Sequence, residues 1–198
     1  MQVMFVTSNV SKFALAKRVL EKNGIGLLQT ELDIREIQSD DIEEIAVDKA
    51  KKAFAILKKP LIVDDSCFVL KKFNTFPGAF SKYVLKSIGL SGIMKLVDDD
   101  RHCAFNSILV YIDDKCVRIF KLEDPGTVSF KISDVNLPEA WSDLWKIFIP
   151  EGYNNTVSDM NDVERNSYYS SFQEVTHYQK FADWFNSFSF SVNPNSEK

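Results

Sequence analysis

Three groups of residues in this 198-residue chain have the types and spacing to do chemistry. The first is Thr7-Ser8-Asn9-Val10-Ser11-Lys12. Small polar side chains at a helix start leave backbone N–H groups pointing outward, and a lysine on the first turn adds positive charge. Together they make a cradle for phosphate, although the same residues also suit a plain N-cap with a solvated lysine. The second is the pair Asp64-Asp65, followed by Ser66, where an apolar run stops. Two carboxylates there are costly unless solvated, paired or metal-bound. Neighbouring side chains on a strand point to opposite faces, so at most one of the pair lines a given cleft unless the chain bends. Glu36 offers a further carboxylate, and such an oxygen set, completed by water and substrate phosphate, suits Mg2+. The third is Lys12, Lys49 and Lys82, which read either as phosphate-binding charge or as ordinary solvated surface.

The elements that must position these residues can be read from the hydrophobic pattern. Val3 to Val6 is a short buried strand, and Phe13, Ala16, Val19 and Leu20 share one face of a helix ending at Asn23-Gly24. An extended stretch from Leu27 to Ile37 follows. Ser39-Asp40-Asp41 caps a second helix, with Glu43 and Glu44 in its first turn and Pro60 as its stop. Pro60 to Val63 is a buried strand that ends at the acidic pair. Phe76-Pro77-Gly78-Ala79 is turn chemistry, and two short helical stretches lie around 81–87 and 91–97. Cys103 to Ile112 and Lys115 to Leu122 flank Asp113-Asp114 as a hairpin, with a third antiparallel strand expected over Thr127 to Ile132. From Asp159 the pattern is helical through Phe185. The polar stretch 189–198 reads as a flexible tail, leaving 1–188 as one domain. Helices alternating with strands early and consecutive strands in the middle predict a mixed α/β fold.

Composition narrows the function. The 24 Lys and Arg against 28 Asp and Glu leave a net charge of −4, which argues against a nucleic-acid polymer as partner. Two distant histidines, His102 and His177, do not make a zinc site. Three dispersed cysteines (Cys67, Cys103, Cys116) read as reduced core thiols. With neither a leader-like start nor an apolar run of membrane length, the expectation is a cytoplasmic protein with no membrane partner.

Taken in order, these motifs resemble one family. Thr7-x-Asn9-x-x-Lys12, then Glu36-Ile37-Gln38, Ala46-x-x-Lys49-Ala50, Asp64-Asp65-Ser66 and Phe76-Pro77-Gly78-Ala79-x-Ser81-Lys82 look like the Ham1/inosine triphosphate pyrophosphatase family, across roughly residues 3–185. The resemblance implies an elongated two-lobed α/β fold, a mixed sheet with flanking helices, a nucleotide cleft between the lobes, and a homodimer. It implies Mg2+-dependent hydrolysis of deaminated purine nucleoside triphosphates such as ITP, dITP and XTP to the monophosphate and pyrophosphate. On this chain, Thr7, Ser8, Asn9 and Lys12 would hold the triphosphate. Glu36 and Asp65 would hold the metal, with Asp64 a nearby acidic helper, and Asp65 would also activate water. Ser66, Lys49 and Lys82 would contact phosphate or sugar.

The departures concern the base. Ser8 stands where the family has Gly, and Leu15 where it has an acid. Anchored on Phe148-x-Pro150-x-Gly152-Tyr153, the family's aromatic-Gly-aromatic-Asp-Pro falls on Ser142-Asp143-Leu144-Trp145-Lys146, leaving Trp141 or Trp145 to stack on the base through a shifted register. Arg165 stands for the family's lysine, and the Ser-His-Arg triplet that reads the purine 6-oxo group falls on Tyr169-Ser170-Ser171. This predicts a pyrophosphatase with altered or relaxed base selectivity, or a nucleotide-binding paralogue with little catalysis. In a third register, Tyr168, Tyr169 or His177 rebuilds the base pocket. As a lone histidine on an amphipathic helix, His177 is otherwise a surface or packing residue.

Overall fold

The computed structural model describes residues 2–173 and 175–192, with 172–173 and 188–192 as helical backbone. The N-terminal apolar run forms β1 (Gln2–Val6), with Val3 and Phe5 fully buried. A polar turn leads into α1 (Val10–Lys22), capped by Asn9, whose Oδ1 accepts from the Lys12 N–H at 3.0 Å. After β2 (Gly26–Thr30) the chain runs extended to the cap Asp41. There α2 (Ile42–Leu57) starts with Glu43 and Glu44 near its positive end. Then come β3 (Leu61–Leu70), the short β4 (Pro77–Gly78) and α3 (Ser81–Leu96), followed by the hairpin β5 (His102–Ile112) and β6 (Val117–Val128). The chain ends in β7 (Phe148–Pro150), α4 (Asp162–Gln173) and α5 (His177–Val192).

The strands form one mixed sheet in the order β2-β1-β3-β5-β6-β7, with β4 pairing to β3 off that path. β1 runs parallel to β2 and β3, and the other pairings are antiparallel. The long β3 and β5 carry two regions of core. At one end, Ile62, Leu109 and Tyr111 pack on α1 and α5 on one face, while Leu61, Val63 and Val110 pack on the alanine face of α2 (Ala46, Ala50, Ala53) on the other. At the far end Phe68, Phe105 and Phe148 pack with Ile93, Trp145 and Tyr168. These are the two lobes. No helix among the described residues is long and apolar enough to cross a membrane. Cys67 and Cys103 are buried free thiols, and Cys116 is free and half-buried.

Several local expectations change. The apolar strand does not stop at Asp64: β3 continues to Leu70, so the acidic pair lies in mid-strand, where both carboxylates find lysines. The third antiparallel strand is not at 127–132, because β6 itself runs on to Val128 and β7 takes the third place. There Gly126 allows close approach, since a Cβ would meet the Ile149 carbonyl at 2.3 Å. The two helical stretches expected around 81–87 and 91–97 stand: within α3 they lie on either side of a non-helical break at Gly89, whose φ is +66°. The single helical run from Asp159 is two helices, α4 and α5. Helix α5 extends to Val192 into the expected tail, and 193–198 lie outside the described residues.

Candidate active site

The site begins with a gap in the sheet. β3 pairs with β1 only through Ile62 and with β4 only from Phe68, so among the described residues its edge at 64–67 has no strand neighbour on that side. The opposite edge stays paired with β5 throughout. Alternation then sends Asp65 to the α2 face and Asp64 and Ser66 to the α1/α5 face, so both faces deliver polar groups to the open edge.

On the α2 face, Lys49 donates to Asp65 Oδ1 at 2.8 Å and to Glu36 Oε1 at 3.0 Å. Burial alone would lower the Lys49 pKa, but Asp65 and then Glu36 outweigh it and raise it above the usual lysine value. Two carboxylates thus converge on one cation. The second oxygen of Asp65 is buried and accepts no hydrogen bond among the described residues. An all-oxygen pair with an unsatisfied buried lone pair fits a divalent ion such as Mg2+, which keeps open positions for water and phosphate. Asp64 does not join this pair. Its carboxylate is on the other face, and the described residues contain no cluster of three or more acidic, histidine or cysteine ligands.

Asp64 instead anchors the opposite face. It is buried, lies 3.5 Å from Lys12 Nζ and 3.5 Å from His177 Nε2, and accepts a hydrogen bond from the Tyr178 hydroxyl. Burial would raise its pKa. Lys12, His177 and Tyr178 overcome that and hold the carboxyl well below the usual range. Lys12 also donates to Ser66 Oγ at 2.9 Å, and Ser66 Oγ lies 2.8 Å from Ser107 Oγ across β5. The 7–12 turn closes over this group. Thr7 Oγ1 accepts from the Asn9 N–H at 3.1 Å, and Asn9 Nδ2 donates to the Trp141 carbonyl at 3.3 Å, tying the turn to the far lobe. Ser8 is exposed at its tip.

Beyond Lys12 the cleft becomes aromatic. Phe105, Ser107, Leu122 and Asp124 form its floor on β5 and β6, facing Trp141, Trp145, Tyr168 and Tyr169, with Leu15 and Arg18 of α1 on a side wall. Trp141 lies edge-on to Phe105 with ring centroids 4.9 Å apart, and Lys12 Nζ sits 5.2 Å from the Trp141 ring centre. Thr176, His177 and Tyr178 line the same end.

The sequence-derived site thus divides. Thr7, Asn9, Lys12, Lys49, Ser66, Glu36 and Asp65 gather at or beside the open edge. Lys82 does not: it is exposed on the first turn of α3 and outside the cleft lining, because Ser81 rather than Lys82 faces inward and holds the Phe68 N–H at 2.8 Å. Arg165 also stays out, its guanidinium engaged by the Met160 carbonyl, Asp162 and Glu139. His177 is buried in the cleft rather than on a surface, with no hydrogen bond to its Nδ1 among the described residues. Sequence reasoning missed Arg18, Ser107, Asp124 and the role of Tyr178. The period of α1 could have shown Arg18 beside Leu15 and Val19, but nothing local marked the others.

Comparisons with known proteins identify the family and the fold. A family model described as Ham1 family matches residues 3–176. The chain is 35% identical over 185 residues to the dITP/XTP pyrophosphatase of Saccharolobus solfataricus, covering 92% of this chain and 93% of that protein. It is 32% identical over 191 residues to the dITP/XTP pyrophosphatase of Methanopyrus kandleri, covering 93% and 96%. In three dimensions it matches a HAM1 protein from Coxiella burnetii with a TM-score of 0.74 over 96% of this chain and 99% of that one. At 19% identity this match speaks for the fold. With the family model spanning most of the chain and the fold shared, the chain belongs to the Ham1 family.

Proposed function

We propose that this protein hydrolyses nucleoside triphosphates to the monophosphate and pyrophosphate with Mg2+, acting on deaminated purine nucleotides such as ITP, dITP and XTP with retuned base selectivity. The observation that carries the reading is Glu36 and Asp65 sharing one lysine at the open edge of β3, next to the Lys12–Ser66 pair and the capped 7–12 turn. Relatives named dITP/XTP pyrophosphatases, at 32–35% identity over nearly full length, support the same chemistry.

Glu36 and Asp65 would hold the metal, which neutralises phosphate charge and polarises the bond to be broken. Lys12, Ser66 and the backbone N–H groups of the turn grip the triphosphate. Lys49 releases its carboxylates and turns to the phosphate oxygens, where its charge stabilises the leaving pyrophosphate. Asp65 orients the attacking water and takes its proton. At the aromatic end Trp141 offers a stacking face, and His177 supplies a hydrogen-bonding group for a 6-oxo base. The Tyr178 hydroxyl is committed to Asp64, so it does not replace a charged base reader. Site of action in the cytoplasm, where free nucleotides are, and assembly as a homodimer belong to the same reading.

Pyrophosphate release from ITP, dITP, XTP, ATP and GTP with Mg2+ tests it. Turnover of 6-oxopurine nucleotides well above an Asp65→Asn control is expected. No turnover above that control would overturn the enzyme, and nucleotide binding without hydrolysis would favour the paralogue.

A further inference from the structure

One buried acid lies in the cleft that none of these roles uses. Asp124 is 7% exposed, on the β6 position paired with Phe105, and its carboxyl forms part of the floor of the aromatic end. Its one hydrogen bond among the described residues comes from the Tyr168 hydroxyl, and no cation pairs with it there. Burial raises its pKa to about 7, only partly countered by Tyr168.

A buried carboxyl with one neutral partner costs the fold stability, and an amide or a methyl group would fill the same space without that cost. The feature therefore needs a partner that arrives from the cleft. Around it, the rings of Trp145, Tyr168, Tyr169 and Phe105 line the cleft, and His177 lies in the same lining. A planar heterocycle seated among those rings presents its hydrogen-bonding edge to the floor. The 6-oxopurines carry a ring N1–H, which a carboxyl oxygen accepts. Adenine carries a lone pair at that atom, which an ionised carboxyl repels.

We propose that Asp124 is a specificity-determining residue of this site: oriented by Tyr168, its carboxyl accepts the N1–H of a 6-oxopurine base and disfavours adenine. This rests on the reading of the cleft as a nucleotide site. It is independent of where the phosphates are cleaved.

The test compares the unaltered protein with Asp124→Asn and Tyr168→Phe at pH 8.5, above the Asp124 pKa of about 7, where the carboxylate accepts and does not donate. The ratio of kcat/KM for ITP to that for ATP should fall about ten- to a hundredfold in Asp124→Asn, mostly through loss with ITP. It should fall by a smaller factor in Tyr168→Phe, which keeps the acid but removes the group that orients it. The melting temperature of Asp124→Asn should be equal to or above that of the unaltered protein. A structural acid predicts the reverse, a lower melting temperature with ITP and ATP affected alike, and that result overturns the proposal. So does an unchanged ratio in an active enzyme, which leaves the pyrophosphatase reading intact. Should the unaltered protein turn over neither nucleotide, the pyrophosphatase reading fails. Calorimetric Kd values for ITP and ATP on the same three proteins then supply the ratio, and equal ratios or no binding overturn the role of Asp124.

Discussion

The two ends of the cleft are held by different physics. At the open edge of β3 the side chains are ionic and mutually compensated: Glu36 and Asp65 share Lys49, and Asp64 pairs with Lys12, while His177 and Tyr178 reach Asp64 from the other end. At the other end the walls are rings, and the one buried acid, Asp124, has no cationic partner among the described residues. A pre-paired ionic end is ready to exchange its internal partners for a metal and phosphates, which are common to every nucleotide. An aromatic end with few polar groups can discriminate, because each of those groups goes unpaired with the wrong base. Rate and selectivity should therefore be separable by mutation.

The sharpest break of this comparison is at the ionic end. Asp65→Asn should reduce pyrophosphate release about a thousandfold with every base, as should removing divalent metal with EDTA in a way that added Mg2+ reverses. A base-dependent loss would show that the two ends are not separate. Lys12→Ala comes next, with kcat/KM down about a hundredfold for ITP and ATP alike. The aromatic end should behave differently: His177→Ala should lower kcat/KM for ITP about tenfold and for ATP much less, in steady-state assays of both substrates.

The smallest effect is on stability. Asp124 titrates near its ordinary 3.8 when unfolded and at about 7 when folded, so the native state holds a proton that the unfolded state has released. Its contribution to stability is present below pH 3.8 and is lost progressively as pH rises to about 7. Melting curves of Asp124→Asn should accordingly gain on the unaltered protein by a few degrees between pH 4 and pH 8, with little difference at the acid end.

Legibility in the sequence follows the same division. The strand-turn-helix at the N terminus, the Asp41 cap of α2 and the β5/β6 hairpin are set by neighbours within a few residues, so cap chemistry and periodicity reveal them. The 7–12 cradle and the acidic pair belong to that class. The extent of β3 does not. Two adjacent acids look like the end of a buried strand, and only lysines arriving from α1 and α2 on opposite faces let the strand continue through them. Arg165 and Lys82 look like substrate cations in a motif, but one is engaged by acids and a carbonyl around it and the other faces outward. His177 and Tyr178 look like one turn of a surface helix until the break between α4 and α5 turns that helix start into the cleft.

By itself the sequence determined which groups could meet phosphate and metal, because carboxylates, hydroxyls and lysines at helix starts and on strands carry that chemistry in their local spacing. Tertiary structure alone decided which acid joins the Lys49 pair, which face each lysine serves, and which groups meet the base. Those choices depend on contacts between β3, β5, β6, α1, α4 and α5. These elements are far apart in the chain and are brought together by burial of the two apolar cores rather than by any local preference.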